Sequence, residues 1–197
     1  MHDTSTYSLI LQNIARHIQL TPDEEKVFTS VLILKKLRKR QFVIVAGEEC
    51  RYEYFVNKGC VKQYYLDDKG QEHILAFAPE GWWTGDMYGF INNQPALTTV
   101  EAIEDTEVFA LEKNAFEGVL LKIPKLERFF RIILQRAMVA NQRRIIGSMS
   151  QSGAERYAAF IQQYPSLEQR LSQRQIAYYL GITPESLSRI KAARLKK

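Results

Sequence analysis

The chain has 197 residues, of which 46% are hydrophobic and 25% charged, which is ordinary for a soluble globular protein of one large or two small domains. No apolar run reaches the roughly 18–20 residues that cross a membrane, and the first ten residues lack the pattern of a secretory signal. Two cysteines, Cys50 and Cys60, do not make a disulfide framework, so a cytoplasmic location is expected.

The net charge of +5 is concentrated in the C-terminal segment. Residues 151–197 contain eight lysines and arginines but three glutamates, whereas residues 1–150 contain nineteen residues of each sign. This asymmetry indicates an acidic partner for the C-terminal segment, and nucleic acid is the commonest such partner. A solvated basic tail would have the same composition, so charge alone leaves both interpretations open.

The N-terminal segment predicts two helices followed by a strand-rich region. Apolar residues at helical spacing predict a helix over about residues 7–18. A capping box at Thr21, with Pro22 at the first helical position, predicts a second helix over about residues 22–31. Over about residues 34–111, short runs rich in β-branched and aromatic residues alternate with turn signals. This texture indicates a β-sandwich, roll or barrel.

Helical spacing returns after the strand-rich region. Asn114 is expected to cap a short helix that ends near Leu121, and Pro124 is expected to open a long one. Apolar residues of the long helix recur every three or four positions, which predicts a seam that packs against a second copy of the chain. Packing on the chain's own β domain is the alternative, and the helix is apolar enough to serve both surfaces. The seam consists of Leu126, Phe130, Ile133, Ala137 and Ala140.

The small and polar segment 147–153 predicts a hinge, and a helix-turn-helix pattern follows it. Ser172 begins a capping box, and Gly181 permits the positive φ that ends the first helix of the pair. Thr183 caps the second helix and Pro184 opens it. A structural hairpin without a ligand is the alternative, but the local positive charge favours DNA binding.

The outward face of the second helix is the predicted base-reading surface. Arg189 can donate two hydrogen bonds to guanine, and Glu185 can accept one from cytosine. The same pair has the spacing of an intrahelical ion pair, and Glu185 also suits the helix dipole. The base-reading set consists of Thr183, Pro184, Glu185, Ser186, Ser188 and Arg189. The residues expected to contact phosphates are Ser172, Gln173, Arg174, Lys191, Arg194, Lys196 and Lys197.

With these parts in this order, the sequence resembles the cyclic-AMP receptor protein/FNR superfamily of transcription regulators. The stretches "FVNKG", "FAPEGWWTGD", "IPKLERFFRIILQ" and "YYLGITPESLSRI" look like its Bacteroidetes-type branch. The resemblance implies an α+β fold: an N-terminal β-roll of the cyclic-nucleotide-binding type, a double-stranded β-helix with flanking helices, over residues 1–123. A dimerisation helix over residues 124–149 and a helix-turn-helix DNA-binding domain over residues 150–197 complete it.

The resemblance also implies partners and contacts. The expected partners are double-stranded DNA, a second copy of the chain and RNA polymerase, and no enzymatic activity is expected. Family members contact DNA through residues at the positions of Glu185 and Arg189. Pro184 replaces a recognition arginine of the family, so the usual operator sequence is not expected. A ligand-binding module whose C-terminal hairpin contacts protein is the alternative function.

A cyclic nucleotide pocket inside the β-roll is a further implication of the resemblance. The family uses a Gly-Glu pair for the ribose and an arginine about ten residues later for the cyclic phosphate. Gly85 and Asp86 match the pair with a shorter acid, but Ala96 occupies the arginine position. An unpaired phosphate would be costly to bury, so cyclic AMP is not expected to bind in the usual way. The candidate pocket, whose effector is unknown, comprises Trp83, Gly85, Asp86, Met87, Ala96, Leu97 and Thr98.

The sequence contains weak signals for sensing through a metal, a redox-active cysteine or an apolar ligand. Residues 1–49 contain no cysteine, and two cysteines do not make an iron–sulfur site, so no metal or cofactor is expected. Cys50 and Cys60 are interpreted as structural, with a redox switch as the alternative. Trp82 and Trp83 are interpreted as packing residues, with an apolar effector pocket as the alternative.

Overall fold

The computed structural model describes residues 4–195, so Lys196 and Lys197, two of the predicted phosphate contacts, lie outside the described residues. The chain divides into two compact units. The first consists of residues up to 63 together with 77–135, and the second of residues 64–76 together with 136–197. Within the described part, no helix combines the length and the apolar character needed to span a membrane.

The first unit begins with a 3₁₀ turn, Thr4–Tyr7, and two helices, α1 (Ser8–Ala15) and α2 (Pro22–Ser30). The predicted capping box is confirmed: the Thr21 hydroxyl accepts a hydrogen bond from the Glu24 N–H, and the Glu24 carboxylate accepts one from the Thr21 N–H. Helix α1 ends sooner than predicted: after it, the His17 N–H donates to the Ile14 carbonyl, three residues back, as in a tighter turn.

Eight strands are described in the strand-rich region, and they form two antiparallel four-stranded sheets. The order is β1-β8-β3-β6 in one sheet and β2-β7-β4-β5 in the other. The sequence signals missed β1 and β6 as separate strands. The strands are β1 (Leu32–Leu37), β2 (Phe42–Ile44), β3 (Tyr52–Lys58), β4 (Val61–Leu66), β5 (Glu72–Ala78), β6 (Trp83–Thr84), β7 (Thr99–Ala102) and β8 (Thr106–Glu112).

Two apolar clusters hold the first unit together, one on each face of the first sheet. Successive side chains of a strand point to opposite faces. In β3, Tyr54 and Val56 therefore join the cluster inside the roll, whereas Phe55 joins a cluster outside it. The outer cluster packs against helices through residues such as Phe28 and Phe129. Side chains therefore fill the interior of the roll, and helices pack against its outer face.

The remaining helices are α3 (Met87–Asn92), α4 (Lys113–Lys122), α5 (Lys125–Ser150), α6 (Gly153–Gln163), α7 (Gln173–Leu180) and α8 (Pro184–Leu195). The predicted cap at Asn114 is wrong. Helix α4 starts two residues earlier than predicted, with Glu112 at the cap position, and the Asn114 amide donates to the Glu112 carboxylate. The predicted hinge is narrower than expected, because residues 147–150 remain helical and the break is confined to Gln151 and Ser152.

The predicted seam of α5 requires a correction. Leu126 and Phe130 are buried in the outer cluster of their own chain, and Ile133 packs against that cluster. Intramolecular packing, the alternative, therefore accounts for the first half of the seam. Ala137 and Ala140 continue the same helical face and are exposed.

The exposed apolar side chains of α5 lie on the opposite side of the helix. At about 100° per residue they cover an arc that faces away from the buried positions. We call this arc the α5 stripe. It consists of Met138, Val139, Ile145, Ile146 and Met149, all of which belong to the second unit and are exposed.

Candidate functional site

Helices α7 and α8, joined by a short turn at Gly181, form a hairpin in the second unit, where the sequence predicts a helix-turn-helix. The capping box at Ser172 is present, with its hydroxyl accepting from the Gln175 N–H at 3.2 Å. Gly181 ends α7 with φ of 65°, a left-handed conformation that suits glycine. Ala177 and Leu187 are fully buried between the elements of this module. The local geometry that the sequence predicts for the hairpin is therefore confirmed.

A close approach by α6 fixes the hairpin from one side. Gly153, the first residue of α6, lies against the side chains of Ile182 and Ile190, and an added Cβ would stand 3.2 Å from the Ile190 Cδ1. Ser152 caps α6 through a second capping box with Glu155. Only a small residue suits position 153, so this glycine positions α8 on α6.

The exposed face of α8 presents the two side chains predicted to read bases. Glu185 and Arg189 are both exposed. The Arg189 guanidinium donates to the Ser186 hydroxyl at 3.3 Å, and Ser186 in turn contacts the Thr183 hydroxyl at 3.1 Å. The pKa of Glu185 is lowered first by a hydrogen bond from its own backbone N–H, then by the Thr183 side chain, and last by the charge of Arg189. Glu185 is thus held chiefly by the helix N-terminus, and Arg189 points from the same face.

The predicted phosphate-contacting residues differ in how much of their charge is already engaged. Lys191 forms an ion pair with Glu168 at 2.9 Å. Glu168 also accepts a hydrogen bond from the Tyr157 hydroxyl, and this bond is the first cause of its lowered pKa. Arg194 lies over the Tyr157 ring. Lys191 and Arg194 therefore also belong to a structural cluster with Glu168 and Tyr157.

At the start of α7 the predicted phosphate contacts are more available. Ser172, Gln173 and Arg174 are exposed at the N-terminus of the helix, where backbone N–H groups favour anions. The Arg174 side chain lies over the Tyr178 ring and donates to its hydroxyl at 2.9 Å. This contact orients the guanidinium without neutralising its charge.

Inside the first unit, Asp86 is the centre of the candidate effector pocket. Its carboxylate is buried and accepts four hydrogen bonds: from the N–H groups of Gly89, Leu97 and Thr98, and from the Thr98 hydroxyl, at 2.7–3.0 Å. One carboxylate oxygen caps α3 by accepting the hydrogen bond from Gly89. The other accepts the hydrogen bonds from Leu97 and Thr98 and so fixes the segment before β7. The Asp86 carboxylate, which matches the acid that would hold a ribose in the family, therefore already accepts its hydrogen bonds from its own chain.

Sequence reasoning missed Gln63, which belongs to the same site. Its amide donates to the Gly85 carbonyl at 3.1 Å and to the Thr98 hydroxyl at 2.8 Å. A single polar residue on a strand gives no spacing signal, so only the fold could reveal it. Gln63, Asp86 and Thr98 form one internally satisfied polar network.

The position of the missing arginine is occupied by buried Ala96. Lys113, a basic residue near the pocket in sequence, is committed elsewhere. Its ammonium group donates to the carbonyls of Phe90 and Ile91 and to the side chain of Asn93 at the C-terminal end of α3. That placement complements the helix dipole. Lys113 thus stabilises α3, and neither Lys113 nor Ala96 supplies the fork of donors that a cyclic phosphate needs.

Trp83 does not line the roll interior, so its interpretation as a packing residue is confirmed and its place in the candidate pocket is wrong. Its ring packs edge-on against Phe55 at 5.4 Å and Phe130 at 5.2 Å in the outer cluster. Successive side chains of a strand point to opposite faces of the sheet. Trp83 therefore lies on the outer face, away from Ala96 inside the roll. Met87 and Leu97, two further predicted pocket residues, are exposed at the surface. Gly85, Asp86, Ala96 and Thr98 are the predicted residues that the fold does bring together.

An unpredicted buried acid lies beside Gly85. The Glu53 carboxyl occupies the space that a Cβ on Gly85 would fill, since such an atom would lie 2.2 Å from the Glu53 Oε1. That oxygen is enclosed and has no hydrogen-bond partner among the described residues. Burial, with a smaller contribution from the charge of Asp86, raises the pKa of Glu53 to about 8. Gly85 is therefore needed to accommodate a carboxylic acid that is mostly protonated at neutral pH.

Both cysteines are buried in the first unit. The Cys50 thiol donates to the Asp86 carbonyl, and burial is the main reason that its pKa is raised. A raised pKa lowers the fraction of reactive thiolate. The geometry favours the structural interpretation of Cys50 over the redox alternative.

Removal of the Asp86 carboxylate is expected to destabilise the first unit. Asp86→Ala leaves buried N–H groups without acceptors and uncaps α3, so the free energy of unfolding should fall by about 3 kcal/mol. Urea denaturation monitored by tryptophan fluorescence measures the change. Asp68→Ala, in an exposed turn, is the matched control and should be nearly neutral. Equal stabilities of the two variants would contradict the role of the Asp86 carboxylate as a stabilising hydrogen-bond acceptor.

Comparison with known proteins places this architecture in a class. Residues 34–122 match the family model of the cyclic nucleotide-binding domain. The solved structure of FixK2 from Bradyrhizobium japonicum superposes with a TM-score of 0.72 over 83% of this chain and 84% of that one, at 23% identity. That likeness shows the fold: a roll of the cyclic-nucleotide-binding type with flanking helices.

Curated relatives narrow the class. The chain is 27% identical to the regulatory protein HlyX of Actinobacillus pleuropneumoniae, over 79% of this chain and 69% of that protein. It is 28% identical to the fumarate and nitrate reduction regulatory protein of Vibrio cholerae, over 79% of this chain and 66% of that protein. The chain thus spans about two thirds of the length of these relatives. The chain is thus similar to these regulatory proteins over most of its length, and its membership of the cyclic-AMP receptor protein/FNR family and of the Bacteroidetes-type branch stays a prediction.

Proposed function

We propose that the chain is a homodimeric, sequence-specific DNA-binding transcription regulator. Helix α8 enters the major groove and reads bases through Glu185 and Arg189. The observation that carries this proposal is the helix-turn-helix geometry of α7 and α8, with both side chains exposed on one face of the second helix. The relatives named as regulatory proteins support it, and RNA polymerase is a further partner in this proposal.

Dimerisation is proposed to proceed through the α5 stripe. Five exposed apolar residues on one arc of a helix are costly to leave in water, and a second copy of the same helix would cover them. The resulting symmetry would present two α8 helices to DNA. Related dimers bind half-sites about one helical turn, roughly 34 Å, apart.

We further propose that the β-roll does not bind cyclic AMP in the usual way. Asp86 is saturated by its own chain, and Ala96 provides no donor for a phosphate. Thermal denaturation with and without cyclic AMP tests this point. No change in melting temperature at millimolar cyclic AMP is expected, and a rise of several degrees would overturn the proposal.

Selection of bound fragments from genomic DNA tests the proposed function itself. We expect recovery of a motif with two-fold symmetry. Arg189→Ala should weaken binding to this motif by at least about 30-fold, because the dimer loses two bidentate base contacts of about 1–3 kcal/mol each. Discrimination at one base of each half-site should be lost as well.

Arg16→Ala is the matched control, since it removes the same charge from an exposed position after α1. It should leave the affinity for the motif unchanged. Equal affinities of wild type and Arg189→Ala for the motif would reject α8 as the reading helix and favour a protein-binding hairpin.

A further inference from the structure

A basic groove at the edge of the β-roll has no role in the proposed function. In the stretch "KKLRKR", residues 35–40, five of the six residues are cationic. The surrounding segment, residues 1–150, has no net charge. It connects β1 and β2, the edge strands of the two sheets. A groove of about 720 Å³ lies here, lined by Lys35, Lys36, Leu37, Arg40, Gln41 and Phe42. This volume falls within the usual range of small-molecule sites.

Protection of a sheet edge explains part of this charge, because lysines on edge strands discourage pairing with another chain. Lys35 and Lys36 fit that explanation: Lys35 lies over the Tyr52 ring at 4.4 Å, and Lys36 pairs with Glu107 at 3.2 Å. The cations of the turn do not fit it. Arg38, Lys39 and Arg40 are exposed, and the described residues provide no ion pair for them.

The turn itself is rigid, and its backbone is held in an unfavourable conformation. The Arg38 N–H donates to the Gln41 side chain at 2.6 Å, and the Arg40 N–H donates to the Ala102 carbonyl at 2.7 Å. The Lys39 N–H donates to the Asp105 carboxylate at 3.0 Å. Arg40 has φ of 71°, in the left-handed region that a residue with a Cβ rarely adopts. Such a conformation points to a function for the side chain it presents.

An exposed aromatic ring completes the groove. Phe42, the first residue of β2, leaves 53% of its surface in water although it is a large apolar residue. Cations beside an exposed aromatic face suit a ligand that combines phosphates with a planar ring. We propose that this groove binds a nucleoside polyphosphate. Arg40 contacts the phosphates, and Phe42 stacks on the base.

Calorimetric titration of the full chain with three probes separates these contributions. ATP should bind, and inorganic triphosphate should bind about fivefold more weakly because it lacks the base that stacks on Phe42. Adenosine should show no measurable binding, since it lacks the phosphates. Absence of binding by both ATP and triphosphate would overturn the proposal.

Variants at two positions test the assigned contacts. Arg40→Asn removes the guanidinium and keeps the left-handed backbone, which asparagine tolerates, and should weaken ATP binding about tenfold. Arg40→Lys should retain most of the affinity. Phe42→Ser should reduce ATP affinity to that of triphosphate and leave triphosphate binding unchanged. Lys122→Asn, at an exposed position of α4, is the control and should bind ATP like the wild type.

Two outcomes distinguish this proposal from the DNA-binding function. Arg189→Ala should leave ATP binding unchanged, and Arg40→Asn should leave recognition of the two-fold motif unchanged. ATP binding that is equally strong in Arg40→Asn would overturn the assignment of the groove. Displacement of ATP by duplex DNA of random sequence, with loss of that DNA binding in Arg40→Asn, would replace the nucleotide with a DNA backbone as the occupant.

Discussion

If the proposed dimer forms, the double variant Met138→Asp, Ile145→Asp is expected to be monomeric at concentrations where the wild type dimerises. Both side chains belong to the α5 stripe and are exposed in the single chain, so the monomer should tolerate the change. In a dimer the new carboxylates would be buried against apolar residues and near their symmetry mates, at a cost of several kcal/mol. Analytical ultracentrifugation measures the change in mass. Affinity for a two-fold DNA site should fall more than about 100-fold, because each chain then binds a single half-site.

Ala140→Asp is the matched control on the same helix. It introduces the same charge at an exposed position, but on the helical face that buries Leu126 and Phe130. This variant should remain dimeric. A monomeric Ala140→Asp together with a dimeric double variant would contradict the α5 stripe and restore the seam that the sequence predicts.

Glu53→Gln is expected to remove most of the pH dependence of stability between pH 5 and 8. The pKa of Glu53 is raised to about 8 in the folded chain, from 4.5 for an exposed glutamate. Between these values the folded state binds the additional proton, so the free energy of unfolding of the wild type falls as pH rises. The loss should reach about 4 kcal/mol at pH 8 and vanish below pH 4.5, where both states are protonated.

Urea denaturation at pH 5, 6.5 and 8 measures this dependence. Glutamine has nearly the shape of the protonated acid and does not ionise, so the variant should be more stable than the wild type at pH 8 and similar at pH 5. Glu117→Gln, at an exposed position of α4, should follow the wild-type curve. Parallel curves for wild type and Glu53→Gln would show that the carboxyl near Gly85 does not ionise in this range.

Local signals predicted those elements whose determinants lie close together in the sequence. The capping boxes at Thr21 and Ser172 and the turn at Gly181 are each specified within four residues, and the structure reproduces them. Alternating strands and turns indicated a β-sandwich, roll or barrel, and the family resemblance implied the roll. Strand β6 escaped detection because two residues, Trp83 and Thr84, are too short to show a period.

Features that depend on which face is covered were not predictable from spacing. Helix α5 carries apolar residues on two faces, and sequence alone did not show that Leu126 and Phe130 pack inside their own chain. Trp83 was assigned to the pocket because of its neighbours in sequence, although strand alternation turns it outward. Glu53 and Gln63 are single polar residues on strands. Their importance arises from contacts with a loop more than twenty residues away.

Quantitative binding of the wild-type chain to the motif recovered from genomic DNA is the most direct test of the central claim. A footprint on this motif should cover two half-sites related by two-fold symmetry, centred about one helical turn apart. Affinity should exceed that for random DNA by at least about a thousandfold and fall steeply with salt concentration. Equal affinity for the motif and for random DNA, or a footprint without two-fold symmetry, would contradict the account.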